Sequence, residues 1–290
     1  MTKLEHKIDF VALISVTNAN GNGDPLSGNR PRTDYNGMGE ISTVCIKRKI
    51  RNRMQDMGNL IFVQSEDRRD HDDKFGSLSE RAAAATDWIK ETGITGKELY
   101  AETACKKWMD VRSFGQVFAF KSGNDNDDGV SVGVRGPVSV HQAISISPVR
   151  IEEMQITKSV NGEPGKTRSS DTMGTKCFVR FGLYKIKGAI NVQLAEKTGF
   201  SQEDAAVVKE CLRTLFVNDA SAARPEGSME VVKLFWWEHN CKEGQYSSAK
   251  VHRSVHVTPK NPEGIPTCVD DYEITLDELP GLVPEIIDGV

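Results

Sequence analysis

The feature that most constrains this chain is its first apolar run. Residues 8–16 (IDFVALISV) are rich in β-branched side chains and stop abruptly at turn-forming residues, the pattern of a buried strand delivering the chain into a loop. Residues 17–37 then hold four Gly, five Asn and two Pro. A loop of that length inside a compact domain is more often a binding element than a spacer. Asn20, Asn22, Arg30 and Arg32 lie in it, and flexible Gly/Asn backbone can turn N–H groups toward phosphates.

Two helices follow from their caps. Ser42 precedes ISTVCIKRKIRNRMQDM, in which Thr43, Ile46, Ile50, Met54 and Met57 recur at three- and four-residue spacing, and Gly58 ends the helix. Lys47, Arg48 and Arg51 then fall on its flanks and opposite face, so their charge is expected to stand out from the surface. Ser201 with Asp204 at the third helical position opens SQEDAAVVKECLRTLF, whose stripe is Ala205, Val208, Leu212, Leu215 and Phe216.

Between them, residues 64–110 are charged and helical in rhythm and read as an inserted helical unit. DVRSFGQVFAF, GVSVGVRGPVSVHQAISISPVRI, KCFVRFGLYKIKGAINVQL, SMEVVKLFWWEH and AKVHRSVHV read as strands. Asn161-Gly162 is the strongest short hairpin signal, set between polar arms over 152–172 that should project from the core. The expected fold is α+β. Its order of elements fits one elaborated domain over 1–290, a ferredoxin-like or RRM-like sheet open on one face, with one helical and one hairpin insertion.

Hydrophobic residues at 38% and charged residues at 27% suit a chain that folds in water. No apolar stretch is long enough to span a bilayer and the N-terminus lacks a signal-peptide core, so a cytoplasmic location and no membrane partner are expected. The six scattered cysteines form no C-x-x-C pair and are read as reduced, mostly core thiols.

A net charge of −4 hides an uneven distribution. Residues 30–53 carry seven Lys/Arg against two acids and residues 150–187 eight against four, whereas residues 263–290 carry eight acids and no Lys or Arg. The two basic segments keep a polyanion-binding face in play, with Lys158, Lys166 and Arg168 on the hairpin as further candidates. Met154 and Met173 flank the hairpin and could wedge between bases.

Catalytic patterns fail on inspection. Gly165-Lys166-Thr167 lacks the first Gly of a P-loop, since Val160 stands there. Asp125, Asp127 and Asp128 suggest a calcium loop, but Val130 and Gly136 occupy its Gly and Glu positions. His71-Asp72 supplies too few ligands for a two-metal site. His252 and His256 would share one face of a strand at about 13 Å, too far for one metal ion. No nucleophile signature is present, and neither a cofactor nor a metal is expected.

The strand plus NGNGDPLSGNRPRTD, the basic helix VCIKRKIRN, DVRSFGQVF, RGPVSVHQAISISPV, MGTKCFVRFGLYKIKG and GFSQEDAAVVKECLRTLFVNDASAARPEGSMEVVKLFWWEH together resemble the Cas-seven (Cas7) superfamily of CRISPR repeat-associated proteins. The resemblance is closest to its type I-C branch, the Csd-two subunits. It implies a non-enzymatic CRISPR RNA-binding backbone subunit of the Cascade surveillance complex, stacked head-to-tail with further copies of itself along the guide RNA, beside other Cascade subunits, and presenting the guide to target DNA in antiviral defence. It also implies a hand-like fold: an RRM-like palm, helical fingers at 64–110 and a β-hairpin thumb at 152–172. By position, Arg30, Arg32, Lys47, Arg48 and Arg51 would touch guide phosphates. The alternative is a metal-dependent RNA endonuclease using Asp34, because related type III backbone subunits cleave with an aspartate in the equivalent loop.

Overall fold

The computed structural model describes residues 2–69, 74–91, 97–119, 131–157 and 173–290. Its centre is β1 (Ile8–Ala19), whose first nine residues are all buried. In chain order there follow β2 (Gly23–Asp24), β3 (Arg30–Pro31), β4 (Met38–Ile41), α1 (Thr43–Asp56), α2 (Leu78–Glu91), α3 (Lys97–Lys107) and α4 (Met109–Phe114). Next come β5 (Gly115–Ala119), β6 (Ser131–Arg135), β7 (Val138–Val140), β8 (Ala143–Pro148), β9 (Ile151–Thr157) and β10 (Met173–Ile190). The chain ends with α5 (Val192–Thr198), α6 (Gln202–Arg213), β11 (Met229–Glu238), α7 (Ser248–Arg253), β12 (Val255–Pro259), β13 (Tyr272–Leu276) and β14 (Glu285–Asp288).

One large antiparallel sheet runs β14-β11-β1-β10-β8-β4, with β7 and β9 also pairing along β10. Both neighbours of β1 arrive from far down the chain: Ile8 pairs with Ile190 of β10 and with Glu238 of β11. Alternation along β1 assigns its faces. Phe10, Ala12, Ile14 and Val16 pack with Ile46, Ile50 and Met54 of α1 and Val208 and Leu212 of α6. Val11 and Leu13 point the other way, into a second core with Phe181, Leu183, Phe235 and Trp237.

That second core corrects the expectation of an open sheet face. The chain after β11 folds back, and Val251, Val255, Tyr272, Leu279 and Leu282 cover the side of the sheet opposite α1 and α6. The acidic segment 263–290 is therefore structural: β13 pairs with β12, and β14 extends the main sheet beside β11. A run as apolar as IDFVALISV has no polar face to turn to water, which is the physical reason both sides are covered.

The caps behave as read. Ser42 Oγ accepts from the Cys45 N–H at 3.2 Å, Gly58 takes φ +81° just past α1, and Ser201 and Asp204 form a reciprocal capping box. Three stretches differ. DVRSF forms α4, NVQLAEKT forms α5 behind an Asn191 cap, and AKVHR forms α7 behind a Ser247 cap. Each helix spans only six or seven residues, too few for periodicity to separate helix from strand. His252 thus sits on α7 and His256 on β12, not on one strand face. Only Cys105 and Cys211 of the six cysteines are buried, so the thiols are not mostly core, although all six are free.

The inserted unit has its own core, in which Phe62, Cys105, Trp108 and Val111 meet Phe118 of β5 and Val132 of β6. It therefore extends past residue 110 to take in the β5–β6 hairpin. Residues 71–72, 125–128 and 158–172, including Asn161-Gly162, Lys158, Lys166 and Arg168, lie outside the described residues.

A buried carboxylate fastens the covering layer to the sheet. Asp9 Oδ2 lies 2.8 Å from His239 Nε2 and 3.0 Å from Lys7 Nζ, while His252 Nε2 bonds the Gly188 carbonyl at 2.9 Å. Burial, the largest influence on Asp9, raises its pKa, but hydrogen bonds from His239, Ser248 and Lys7 carry it below 3.8. Burial holds His252 below its ordinary 6.5. Both folded values are depressed, so the unfolded chain binds more protons and this part of the stability is lost as pH falls. The thermal midpoint should fall as pH drops below about 6.5 through the His252 step, and again below about 3.8. In His252→Gln the upper step should be missing from a melting series, and an unchanged series would contradict the assignment.

Candidate nucleic-acid interface

The long loop is a built structure with its own hydrogen bonds. Gly23 of β2 faces Pro31 of β3, and a Cβ at Gly23 would fall 2.8 Å from the Asn29 backbone carbonyl oxygen, so a side chain there would force the loop backbone to shift. Asn20 Nδ2 donates to the Asn29 carbonyl at 2.6 Å, and Asn22 Oδ1 accepts from the Ser42 N–H at 2.8 Å. These two asparagines, read as nucleic-acid contacts, hold the loop and the start of α1 in shape. Asp34 does likewise: its Oδ1 accepts from the N–H groups of Asn36 and Met38 at 2.8 and 2.9 Å. Among the described residues no cluster of three or more His, Cys, Asp or Glu is arranged to hold a metal ion.

The loop presents two arginines. Arg32 Nη2 reaches Asp24 Oδ1 at 3.3 Å, and the Arg30 guanidinium pairs with Glu153 of β9, which joins the loop to the base of the hairpin. Both arginines keep more than a third of their side-chain surface in solvent. Exposed pairs of this kind hold weakly and can exchange their carboxylate for a phosphate. Leu26 and Tyr35 are fully exposed on the same loop. Tyr35, which the sequence left unassigned, is an aromatic among turn residues of a basic loop, and an exposed ring of that kind can stack on an unpaired base.

Helix α1 departs from expectation. Arg51 Nε donates to Asp110 at 2.9 Å, and Arg48 Nη2 donates to the Val63 carbonyl at 2.6 Å. Lys49, which the sequence left unassigned, is buried against Asp219. The charge of α1 does not stand out from the surface; most of it is directed into the inserted unit and the loop after α6, because α1 is packed on the flanks as well as on its apolar stripe. Burial pulls the Arg48 guanidinium down to about 10. Lys47 is half-buried, with its ammonium 5.2 Å from the centre of the Phe114 ring, and burial followed by the nearby Arg51 lowers its pKa.

Residues 151–157 and 173–179 pair as an antiparallel ribbon, β9 with the start of β10. Thr157 pairs with Met173 and Lys176 with Met154, so the register puts Met154 and Met173 on opposite faces of this ribbon. Both are exposed, but only Met154 has an exposed apolar neighbour on its own face, Ile156. A single wedge of two methionines is therefore not formed.

Three further arginines gather near the end of β1. Arg180 donates to Asn18 Oδ1 at 2.9 Å, Arg150 extends into solvent beside Glu152, and Arg224 bonds Asp219 at 3.1 Å. Arg150 and Arg180 border a groove of about 320 Å³ that also contains Phe181 and Ile265. No local pattern marks these residues, because β8, β10 and the loop after α6 meet only in the folded chain.

A family model described as CRISPR-associated protein Cas7 matches residues 6–277. The chain belongs to the Cas7 family. A Cas7 protein of Haloferax volcanii is 25% identical over 222 residues, a match covering 70% of this chain and 62% of that protein. Two chains of solved structures titled CRISPR RNA-guided surveillance complex are also similar. The one titled pre-nicking has 15% identity and a TM-score of 0.47, covering 85% of this chain and 81% of its own. The other has 18% identity and a TM-score of 0.48, covering 89% and 77%. No described helix of this Cas7 protein is long and apolar enough to cross a membrane.

Proposed function

We propose that this Cas7 protein is the non-catalytic guide-RNA-binding backbone subunit of a type I-C Cascade complex, of the Csd2 kind. It would work in the cytoplasm, stacking head-to-tail on CRISPR RNA and leaving its bases free to pair with target DNA. The observation that supports the reading, beyond the family, is the pair between Arg30 and Glu153, which joins the basic loop to the β9–β10 ribbon. A strand laid along the loop would meet Arg30, Arg32, Lys47 and Tyr35 and then pass under the hairpin.

The order β11-β1-β10-β8, with α1 after the first of these strands in sequence and α6 after the third, supports an RRM-like palm. The separate core of the inserted unit supports fingers, and the β9–β10 ribbon supports a thumb whose tip carries Lys158, Lys166 and Arg168. Arg48 and Arg51 then act by setting α1 against the fingers, and the Met154–Ile156 face is the better candidate for kinking the guide.

Binding to single-stranded RNA should be nearly independent of sequence and steeply dependent on salt. Replacing Arg30 and Lys47 together with Ala should remove two phosphate contacts and flatten the logarithmic salt slope by roughly 1.4. An unchanged slope would remove this loop and helix from the interface. Incubation of RNA or DNA with magnesium or manganese should leave both intact, since Asp34 is engaged by its own turn; cleavage lost in Asp34→Ala would establish the endonuclease reading.

A further inference from the structure

The covering layer leaves one strip of the second sheet face open, and the strip is basic. Along β10, Phe181 and Leu183 sit under that layer, whereas the next residues on the same face are Lys185 and Lys187. They form the floor of an open groove of about 670 Å³, with Arg253 of α7 and His141 on its rim and Ile146 and Val255 as apolar lining. Among the described residues no carboxylate lines it, and Asp277, a carboxylate beside its lining, is taken up by His256 at 2.7 Å. Lys185 Nζ is held by the Val255 carbonyl at 2.5 Å, and no ion pair of Lys185, Lys187 or Arg253 occurs among the described residues.

We propose that this groove binds a single-stranded polynucleotide other than the guide. Lys185 and Lys187 stand two residues apart on one face of an extended strand, about 7 Å apart, a step comparable with that between successive phosphates of an extended single strand. Ile146 and the imidazole of His141 offer the bases apolar and ring surface beside those cations. Burial, then the charge of Lys187, holds Lys185 down to about 8, the behaviour of an ammonium with no anion beside it. The groove lies across the sheet from α1, so occupancy of the two sites is compatible. The inference goes beyond the guide-binding reading and does not require it.

The test uses the full chain purified with its guide, and titrates fluorescein-labelled oligothymidylate and oligouridylate of about 20 nucleotides. Lys187→Ala/Arg253→Ala should weaken capture of the labelled strand and flatten its salt slope by roughly 1.4, with guide content, read as the 260/280 nm absorbance ratio, unchanged. The DNA and RNA arms show which strand is taken. Absent binding by the parent protein, an unaffected double variant, loss of guide together with the labelled strand, or capture of polyglutamate in place of either oligonucleotide would each overturn the proposal. Failure of the guide-binding reading would appear separately, as a parent protein that carries no guide.

Discussion

Asp110→Ala should cost about 3–5 kcal/mol of stability, the range for removing one partner of a buried ion pair. The carboxylate is 1% exposed and accepts from the N–H groups of Phe62 and Val63, at 2.7 and 3.1 Å, as well as from Arg51. Truncation leaves a guanidinium and two N–H groups without partners where water has poor access. Domains are typically stable by about 5–15 kcal/mol, so this loss is a large fraction of the total. Urea unfolding should show it as a lower midpoint, with Asp110→Asn in between because the amide oxygen still accepts. A loss below about 1 kcal/mol, the value of an exposed pair, would mean that Asp110 does not hold the inserted unit to α1.

Replacing residues 158–172 with a short Gly-Ser turn should abolish long RNA-bound arrays while leaving the monomer folded. Thr157 and Met173 are directly paired at the end of the β9–β10 ribbon, so a tight turn can join them without disturbing the pairing below. The shortened chain keeps every core residue of the described segments. An open head-to-tail contact has no second route to closure, so loss of the hairpin removes the array as a whole. Circular dichroism should match the parent, and light scattering with a long guide should report single subunits. Full-length arrays from the shortened chain would exclude the hairpin as the contact between copies.

The two predictions draw on different parts of what was legible in the sequence. Both capped helices and the central strand follow from local chemistry: Ser42, Gly58, the Ser201–Asp204 box and the unbroken apolar run act within a few residues of themselves. The partners of the basic side chains do not. Arg51 meets Asp110 and Arg112 meets Asp204, contacts 59 and 92 residues apart in sequence, so charge that reads as outward on a helical wheel is in fact paired within the protein. The covered second face was hidden for the same reason, since Val11 and Leu13 announce burial but not that α7 and residues 255–282 supply it. Of the candidate site, the place of Arg30 and Arg32 on an exposed loop was legible, whereas the hydrogen bonds of Asn20, Asn22 and Asp34 and the gathering of Arg150 and Arg180 at one groove were not.

The most direct test of guide binding is the RNA carried by the protein purified with and without its CRISPR array. The account predicts array-dependent RNA that survives ribonuclease as protected fragments, and its loss from a folded Arg30→Glu/Arg32→Glu/Lys47→Glu variant. An absorbance ratio and protection pattern that are the same with or without the array, or the same in the charge-reversed variant, would contradict it.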